Sequence, residues 1–276
     1  MRIDAHQHFW KYDPVRDAWI NKSMKVIQKD FLPNDLLPIL ASNNIEGCIA
    51  VQADESEEEN DFLLSLADES DFIKGVVGWL DFFDEDFDEK LAFYSQHKSL
   101  KGLRHILQGK AAGFFLQDKF KKSLGKLGRY HLTYDCLVFE NQLAEVIELV
   151  KHFPNQRFVL DHIGKPKISL GVDENWVANV KQLSQFKNVY CKISGMVTET
   201  ENWNWVTADF YSFMDVVVNA FGVDRILYGS DWPVCNLAAN YEQVIAIVTS
   251  YFKEYSEEDI NKIMGGNAEK FYNISS

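Results

Sequence analysis

Eight short runs rich in β-branched and aromatic residues recur along this chain of 276 residues, with longer helical patterns between them. The runs cover residues 2–8, 46–52, 73–80, 100–106, 131–138, 157–163, 189–194 and 225–229. Between them, QLAEVIELVKH (142–152) and FYSFMDVVVNAF (210–221) place apolar residues at i, i+3, i+4 and i+7, the spacing that lines one face of a helix. Strands that alternate with helices pair in parallel, because each helix carries the chain back to the start of the next strand. Eight such units in this length predict an α/β fold, a single (β/α)8 barrel of the TIM type, which typically occupies about 250 residues. No linker, low-complexity segment or repeat divides residues 1–276, so one barrel domain is expected.

An apolar fraction of 46% and an aromatic fraction of 14% are ample for such a core. The net charge of -13 argues against nucleic acid and anionic membranes as partners. The densest acidic run, DESEEEND at 54–61, reads as the solvated start of a helix, where carboxylates favour the positive end of the dipole. Four cysteines, Cys48, Cys136, Cys191 and Cys235, are widely spaced without a C-x-x-C pair, and buried inert thiols are expected. The polar first strand does not fit a secretory leader. No apolar run approaches the roughly 20 residues of a membrane span, so a soluble cytoplasmic protein is expected.

The barrel gives the polar residues a location, since active sites of this architecture sit at the C-terminal ends of the strands. There the first run ends in His6-Gln7-His8, Arg104 and His105 end the fourth, His162 ends the sixth, and Asp231 follows the eighth. Residues i and i+2 of a strand point the same way, so His6 and His8 can converge, and Asp231 meets them if the sheet closes. Two imidazoles and a carboxylate on one point make a metal site or a water-activating site; the bland alternative is a pair of hydrogen-bonded core histidines. His105 has an outward, helix-capping alternative, and His162 a backbone-bonding one. His97, His131 and His152 fall away from strand ends. The first connection, 9–34, is long and holds Trp10, Tyr12 and Trp19; it is expected to shape a substrate pocket.

Longer stretches carry a family likeness. DAHQHFW (4–10), AVQAD (50–54), VGWLD (77–81), KGLRHILQ (101–108), FVLDHIGKP (158–166), CKISGMVTE (191–199), FGVDRILYGSDWPVCNLAANYE (221–242) and GGNAEKFY (265–272) together resemble the amidohydrolase superfamily. Within it they resemble the sugar-lactone hydrolases, the L-fuconolactonases and L-rhamnonolactonases. The likeness covers nearly the whole chain. It implies a barrel of the metallo-dependent-hydrolase type that hydrolyses an aldonolactone, such as L-fuconolactone, at its mouth. Metal-rich members of the superfamily carry a carboxylated lysine or a glutamate on or near strand four and histidines on strands five and six. Here strand four offers Arg104 and His105, and strand five Tyr134 and Asp135. A bridged two-metal site is therefore not expected. His6, His8, His162 and Asp231 are expected to hold at most one divalent ion, zinc being the candidate, with no cofactor obligatory. Gly109-Lys110 and Phe139-Glu140 also depart from the branch, at rim positions that bear on the choice of sugar.

A lactone is a strained, activated ester, so its opening needs a base for water and donors for the developing oxyanion more than it needs a strong Lewis acid. Asp231 is the expected base. His6, His8 and His162, with or without an ion, would polarise the carbonyl, and Arg104 would bind the carbonyl oxygen or the product carboxylate. The alternative for Arg104 is an ion pair to Asp135 or another rim carboxylate. Only six arginines exist, and Arg2, Arg157 and Arg225 start strands at the far end of the barrel. A dicarboxylate lactone usually needs several bidentate clamps, so a neutral sugar lactone fits better. Trp10, His105, Trp203 and Trp232 are the expected substrate contacts. Competing readings are a zinc-dependent non-oxidative decarboxylase of the same superfamily, and an L-rhamnonolactone or dicarboxylate lactone hydrolase. A sugar-acid binder without turnover has no use for a general base.

Overall fold

The structure, a computed structural model, describes residues 1–274. Its strands are β1 (Ile3–Gln7), β2 (Gly47–Val51), β3 (Ile73–Gly78), β4 (Leu100–Ile106), β5 (Thr133–Leu137), β6 (Phe158–Leu160), β7 (Val189–Ile193) and β8 (Ile226–Tyr228). They pair in parallel, in sequence order, as a βα alternation demands. The helices on the outside are α1 (Pro33–Ser42), α2 (Glu57–Glu69), α3 (Phe87–Tyr94), α4 (Asp118–Leu124), α5 (Leu143–Lys151), α6 (Glu174–Leu183), α7 (Tyr211–Phe221) and α8 (Tyr241–Tyr251). Two of these, α5 and α7, are the helices the apolar spacing predicts. The acidic run opens α2, with the Ser56 hydroxyl capping it by accepting the Glu59 N–H at 3.3 Å. The barrel is the one the sequence predicts. β6 and β8 stop short of 157–163 and 225–229, because the chain leaves the sheet before it reaches His162 and Asp231.

Closure of the sheet falls between its first and last strands. The Asp231 N–H donates to the His6 carbonyl at 2.8 Å, and the His8 N–H donates to the Trp232 carbonyl at 2.7 Å. The same two bonds bring the histidine pair and Asp231 side by side. All four cysteines are free and buried, and burial pushes their thiols up, as inert packing residues require. No helix among the described residues is long and apolar enough to cross a membrane.

Apolar packing occupies two shells. Ile3, Ala5, Ile49, Val51, Val77, Val159 and Leu227 fill the lower interior of the barrel, and a larger cluster joins sheet to helices. The floor is closed by the C-terminal segment, α9 (Glu257–Asn261), one π-turn (Lys262–Gly266) and α10 (Asn267–Phe271). From it Ala268, Phe271 and Tyr272 enter the inner cluster. Arg157 donates to the Phe271 and His131 carbonyls, and Arg225 to those of Ser184, Phe186 and Val189, so both serve the structural end of the barrel.

The plug depends on close backbone contact. A Cβ on Gly265 would lie 2.1 Å from the Met1 carbonyl oxygen and 2.9 Å from Arg2 Cα, both backbone atoms that cannot swing aside. Gly265→Ala is therefore expected to lower unfolding free energy by about 1–3 kcal/mol, the usual cost of overpacking, as read from urea denaturation midpoints. A midpoint equal to the parent's would show that the plug yields freely.

Candidate active site

The two histidines of β1 reach the mouth through an irregularity that simple alternation does not anticipate. Ile3 and Ala5 point into the inner cluster, so strict period two would send Gln7 inward and both histidines outward. The β1–β2 register instead shifts between Asp4 and Gln7, as an inserted residue does in a β-bulge. Past the shift Gln7 faces out, its amide donating to Cys48 Sγ at 3.3 Å, and His6 and His8 face in.

His162 and Asp231 reach the same point from left-handed backbone. His162 (φ 53°), Ile163 (φ 51°) and Lys165 (φ 48°) form a tight turn after β6, and Asp231 has φ 59°. Such conformations cost about 1–3 kcal/mol each in non-glycine residues and persist only where the surroundings over-determine them. Trp176 Nε1 holds the turn by donating to the Ile163 carbonyl at 2.9 Å, and the Lys165 N–H donates to the His162 carbonyl at 2.8 Å. Opposite, the His162 ring packs on Gly195 (φ 59°), where a Cβ would sit 2.4 Å from Nδ1.

One oxygen of Asp231 is the hub. Its Oδ1 lies 3.4 Å from His8 Nε2, 3.8 Å from His6 Nε2 and 4.0 Å from His162 Nε2. The ring orientations are set from behind. His8 Nδ1 lies 2.7 Å from the Val51 carbonyl, which can only accept, so Nδ1 carries a proton and Nε2 is the atom turned to the hub. His162 Nδ1 lies 2.9 Å from Ser194 Oγ. Burial holds the His6 and His162 imidazoles well below their usual range. Burial pushes Asp231 up, but the imidazoles of His162 and His8 outweigh it and hold the carboxyl below its usual value.

Beneath the hub lies a set of buried charges, of which the sequence pattern had singled out Asp135 and Arg104 but neither Lys192 nor Asp161. Lys192, from β7, sits 2.6 Å from Asp135 Oδ2, 3.0 Å from Asp161 Oδ1 and 3.3 Å from His6 Nδ1. Asp161 also lies 3.3 Å from His6 Nδ1 and 3.2 Å from Arg104 NH1. Tyr272, from the C-terminal plug, donates to Asp135 at 2.7 Å. The signal was present as charged residues inside apolar strand runs, TYDCL and VYCKI, where only a paired charge survives burial.

Arg104 lies in the site, but it is already engaged. Its guanidinium donates to Asp161 at 3.2 Å and to the Gln52 side chain at 2.9 and 3.2 Å, makes a further bond to the Gln52 carbonyl, and lies 3.2 Å from His6 Nε2. The ion pair considered for Arg104 is thus made with another carboxylate, Asp161, and not with Asp135. Asp231, His8, His162, Arg104 and Trp10 line one cavity of about 270 Å³ at the mouth, with Trp19, Ala53, Ile106, Gln108, Leu137, Lys165 and Val234. Lys165 pairs with Glu199 at 2.9 Å. A larger groove of about 880 Å³ opens at the opposite end, by Met1, Arg2 and Lys262, away from every one of these groups.

Three expected substrate contacts lie elsewhere. His105 alternates with Arg104 along β4 and so points outward, against Phe82 and Phe120, with Nδ1 2.8 Å from Glu55 and 2.7 Å from Trp79 Nε1. Trp232 is buried edge-on against Phe9 and Phe31 and supports the loop instead of facing a ligand. Trp203 sits on a left-handed turn after β7 and is not among the lining residues.

The donor set suits a divalent ion. Tetrahedral zinc with ligands at about 2.0–2.1 Å has ligand–ligand edges of about 3.3–3.4 Å. The hub spacings of 3.4, 3.8 and 4.0 Å lie at or slightly beyond that edge, and two of them are too long for hydrogen bonds. One atom each of His6, His8 and Asp231 falls within 4.8 Å of the others.

Comparison with known proteins agrees with the geometry. The amidohydrolase family model matches residues 3–274. An L-fucono-1,5-lactonase of Burkholderia multivorans is 36% identical over 99% of this chain and 96% of its own length. A second, from Burkholderia ambifaria, is 31% identical over 99% of this chain and 96% of its length. The crystal structure of an amidohydrolase from Burkholderia multivorans with bound zinc is 35% identical and superposes with a TM-score of 0.94 over 100% of both chains.

One wall of the cavity has a pH-dependent support. Ala53 is held by its N–H, which donates to Glu59 at 3.0 Å, and burial pushes the Glu59 carboxyl from 4.5 up to about 7. Between these values the unfolded chain has released a proton that the folded chain keeps, so stability falls as pH rises from 4.5 to 7. Glu59→Gln keeps the acceptor and removes the titration. Its stability relative to the parent is expected to grow across that window, by up to about 3 kcal/mol, in urea unfolding at stepped pH. A constant difference would show that Glu59 does not titrate there.

Proposed function

As the chain belongs to the amidohydrolase family, we propose that it hydrolyses a sugar lactone, L-fuconolactone or a close relative, to the aldonic acid. The observation that carries this reading is the Asp231 carboxylate, ionised at neutral pH and ringed by imidazoles at the base of a small cavity. At about 270 Å³ the cavity falls near the lower end of small-ligand sites, roughly 300 Å³, a size for one sugar ring. Its apolar side, with Trp10, Ile106, Leu137 and Val234, suits the ring face and a deoxy carbon.

In this reading Asp231 takes a proton from water as the water oxygen attacks the lactone carbonyl carbon. Negative charge moves to the carbonyl oxygen, where Arg104 and His162 stabilise it. Collapse breaks the ring C–O bond, and the departing alkoxide recovers the proton from Asp231, giving the free hydroxyl and the carboxylic acid, which then releases its own proton to water. His6, His8 and Asp231, with His162 beside them, would hold a single zinc ion, which when bound would supply Lewis-acid polarisation of the carbonyl. The ion is not obligatory in this scheme, because an activated ester and a fixed guanidinium lower the demand for it. The reading carries with it a soluble cytoplasmic enzyme that acts on a small molecule.

Asp231→Asn preserves shape and removes basicity. A loss of at least ~10²-fold in kcat is expected, the usual scale of general-base catalysis, measured with a pH indicator on aldonolactones. A folded variant with near-normal turnover would remove Asp231 from the mechanism.

Charge in the cavity sets the substrate class. Arg104 is committed to Asp161 and Lys165 to Glu199, so a second substrate carboxylate would meet no spare cation among the described lining residues. An unpaired buried charge costs several kcal/mol. Neutral five- and six-carbon aldonolactones are therefore expected to show kcat/KM orders of magnitude above pyrone or muconate lactones bearing carboxylates. Equal or reversed preference would favour the dicarboxylate-lactone reading.

A further inference from the structure

The hub histidine His6 is flanked by two buried cations. Arg104 NH1 lies 3.2 Å from its Nε2, and Lys192 Nζ lies 3.3 Å from its Nδ1. Arginine and lysine can only donate, so each competes for an imidazole lone pair. The Nε2 that Arg104 approaches is also the atom that stands 3.8 Å from Asp231. Arg104 is 3% exposed and Lys192 fully buried, so neither charge is screened by water. Both are anchored on Asp161, which Lys192 reaches at 3.0 Å and Arg104 at 3.2 Å. They cannot swing away when an ion arrives.

We infer that Arg104 and Lys192 act as built-in cations that keep the metal affinity of this site low, doing part of the work a second metal ion would do. The guanidinium neutralises Asp161, occupies the lone pair of His6 and repels a divalent ion at the hub. The site therefore takes one ion weakly and retains a positive group beside the reacting carbonyl when the ion is absent. This inference rests on the reading of His6, His8, His162 and Asp231 as ion ligands, not on the identity of the lactone.

The test is the dissociation constant for zinc, measured on metal-stripped protein by competition with a chromophoric chelator at one neutral pH. Arg104→Gln keeps a donor for Asp161 and removes the charge; it is expected to bind zinc about 10- to 100-fold more tightly, the range over which outer-shell groups tune metal sites. Arg104→Lys keeps the charge and is expected to stay close to the parent. An arginine that only braced the imidazoles would act in the opposite sense, its loss weakening zinc. Unchanged or weaker binding by Arg104→Gln, or no zinc binding by either protein, overturns the inference. Should Arg104→Gln not fold, Lys192→Gln made together with Asp135→Asn decides the matter. That pair removes a buried cation with the carboxylate it contacts at 2.6 Å, leaving no uncompensated charge, and must also tighten zinc. Lactone turnover is not the readout, so a negative result here leaves the lactonase reading to its own test.

Discussion

Closure of the barrel between its first strand and the segment after its last is the constraint on which the rest depends. Two backbone hydrogen bonds, from Asp231 to His6 and from His8 to Trp232, join residues more than two hundred positions apart in the chain. They seal the sheet edge and fix the distance between the hub carboxylate and the histidine pair. Side chains do not need to find one another; the backbone has already placed them. Site geometry and barrel integrity are thus one property, and a change that loosens the seam disturbs both.

The seam must also carry conformational strain. A register shift in β1 turns both histidines inward, and left-handed backbone at His162 and Asp231 aims their side chains at the same point. These local costs are met by hydrogen bonds from Trp176 and from the closing strands, and by a packed inner cluster below. The aromatic loop over the mouth is stitched in the same way, with Trp10 and Phe31 exchanging backbone hydrogen bonds at 3.0 and 2.9 Å.

Below the hub, the barrel interior changes from apolar to ionic within one layer. Lys192, Asp135, Asp161 and Arg104 compensate one another where water does not reach. Buried ion pairs seldom add net stability, because desolvation offsets their attraction. Here they connect the C-terminal plug, through Tyr272, to the imidazole ring of His6. A bridging metal centre would need ligands where this chain has Arg104 and Asp135. Two side-chain cations, Arg104 and Lys192, stand beside His6 there.

Local pattern was enough to find the eight strand runs, the helices α5 and α7, the acidic start of α2 and the strand-end residues His6, His8, Arg104, His162 and Asp231, which the structure brings to one mouth. Those features depend on periodicity and on which end of a strand a residue occupies, and both are written in neighbouring residues. Other features escaped for identifiable reasons. Period two cannot show a bulge, so alternation alone does not reveal the register shift that turns both His6 and His8 inward. The same alternation, applied at β4, separates Arg104 from His105, but only the sheet reveals which of the two faces in. Trp232 and Trp203 look alike as rim residues, whereas contacts with Phe9 and Phe31 place Trp232 in the core.

The amino-acid order by itself determined the element sequence, and with it the parallel barrel and the end at which chemistry sits, because helix and strand periods are local properties. Tertiary structure alone decided which charges meet. Lys192 and Asp135 lie on β7 and β5 and Asp161 just past the end of β6, and whether a buried charge is a liability or a partner depends on what the closed barrel sets against it.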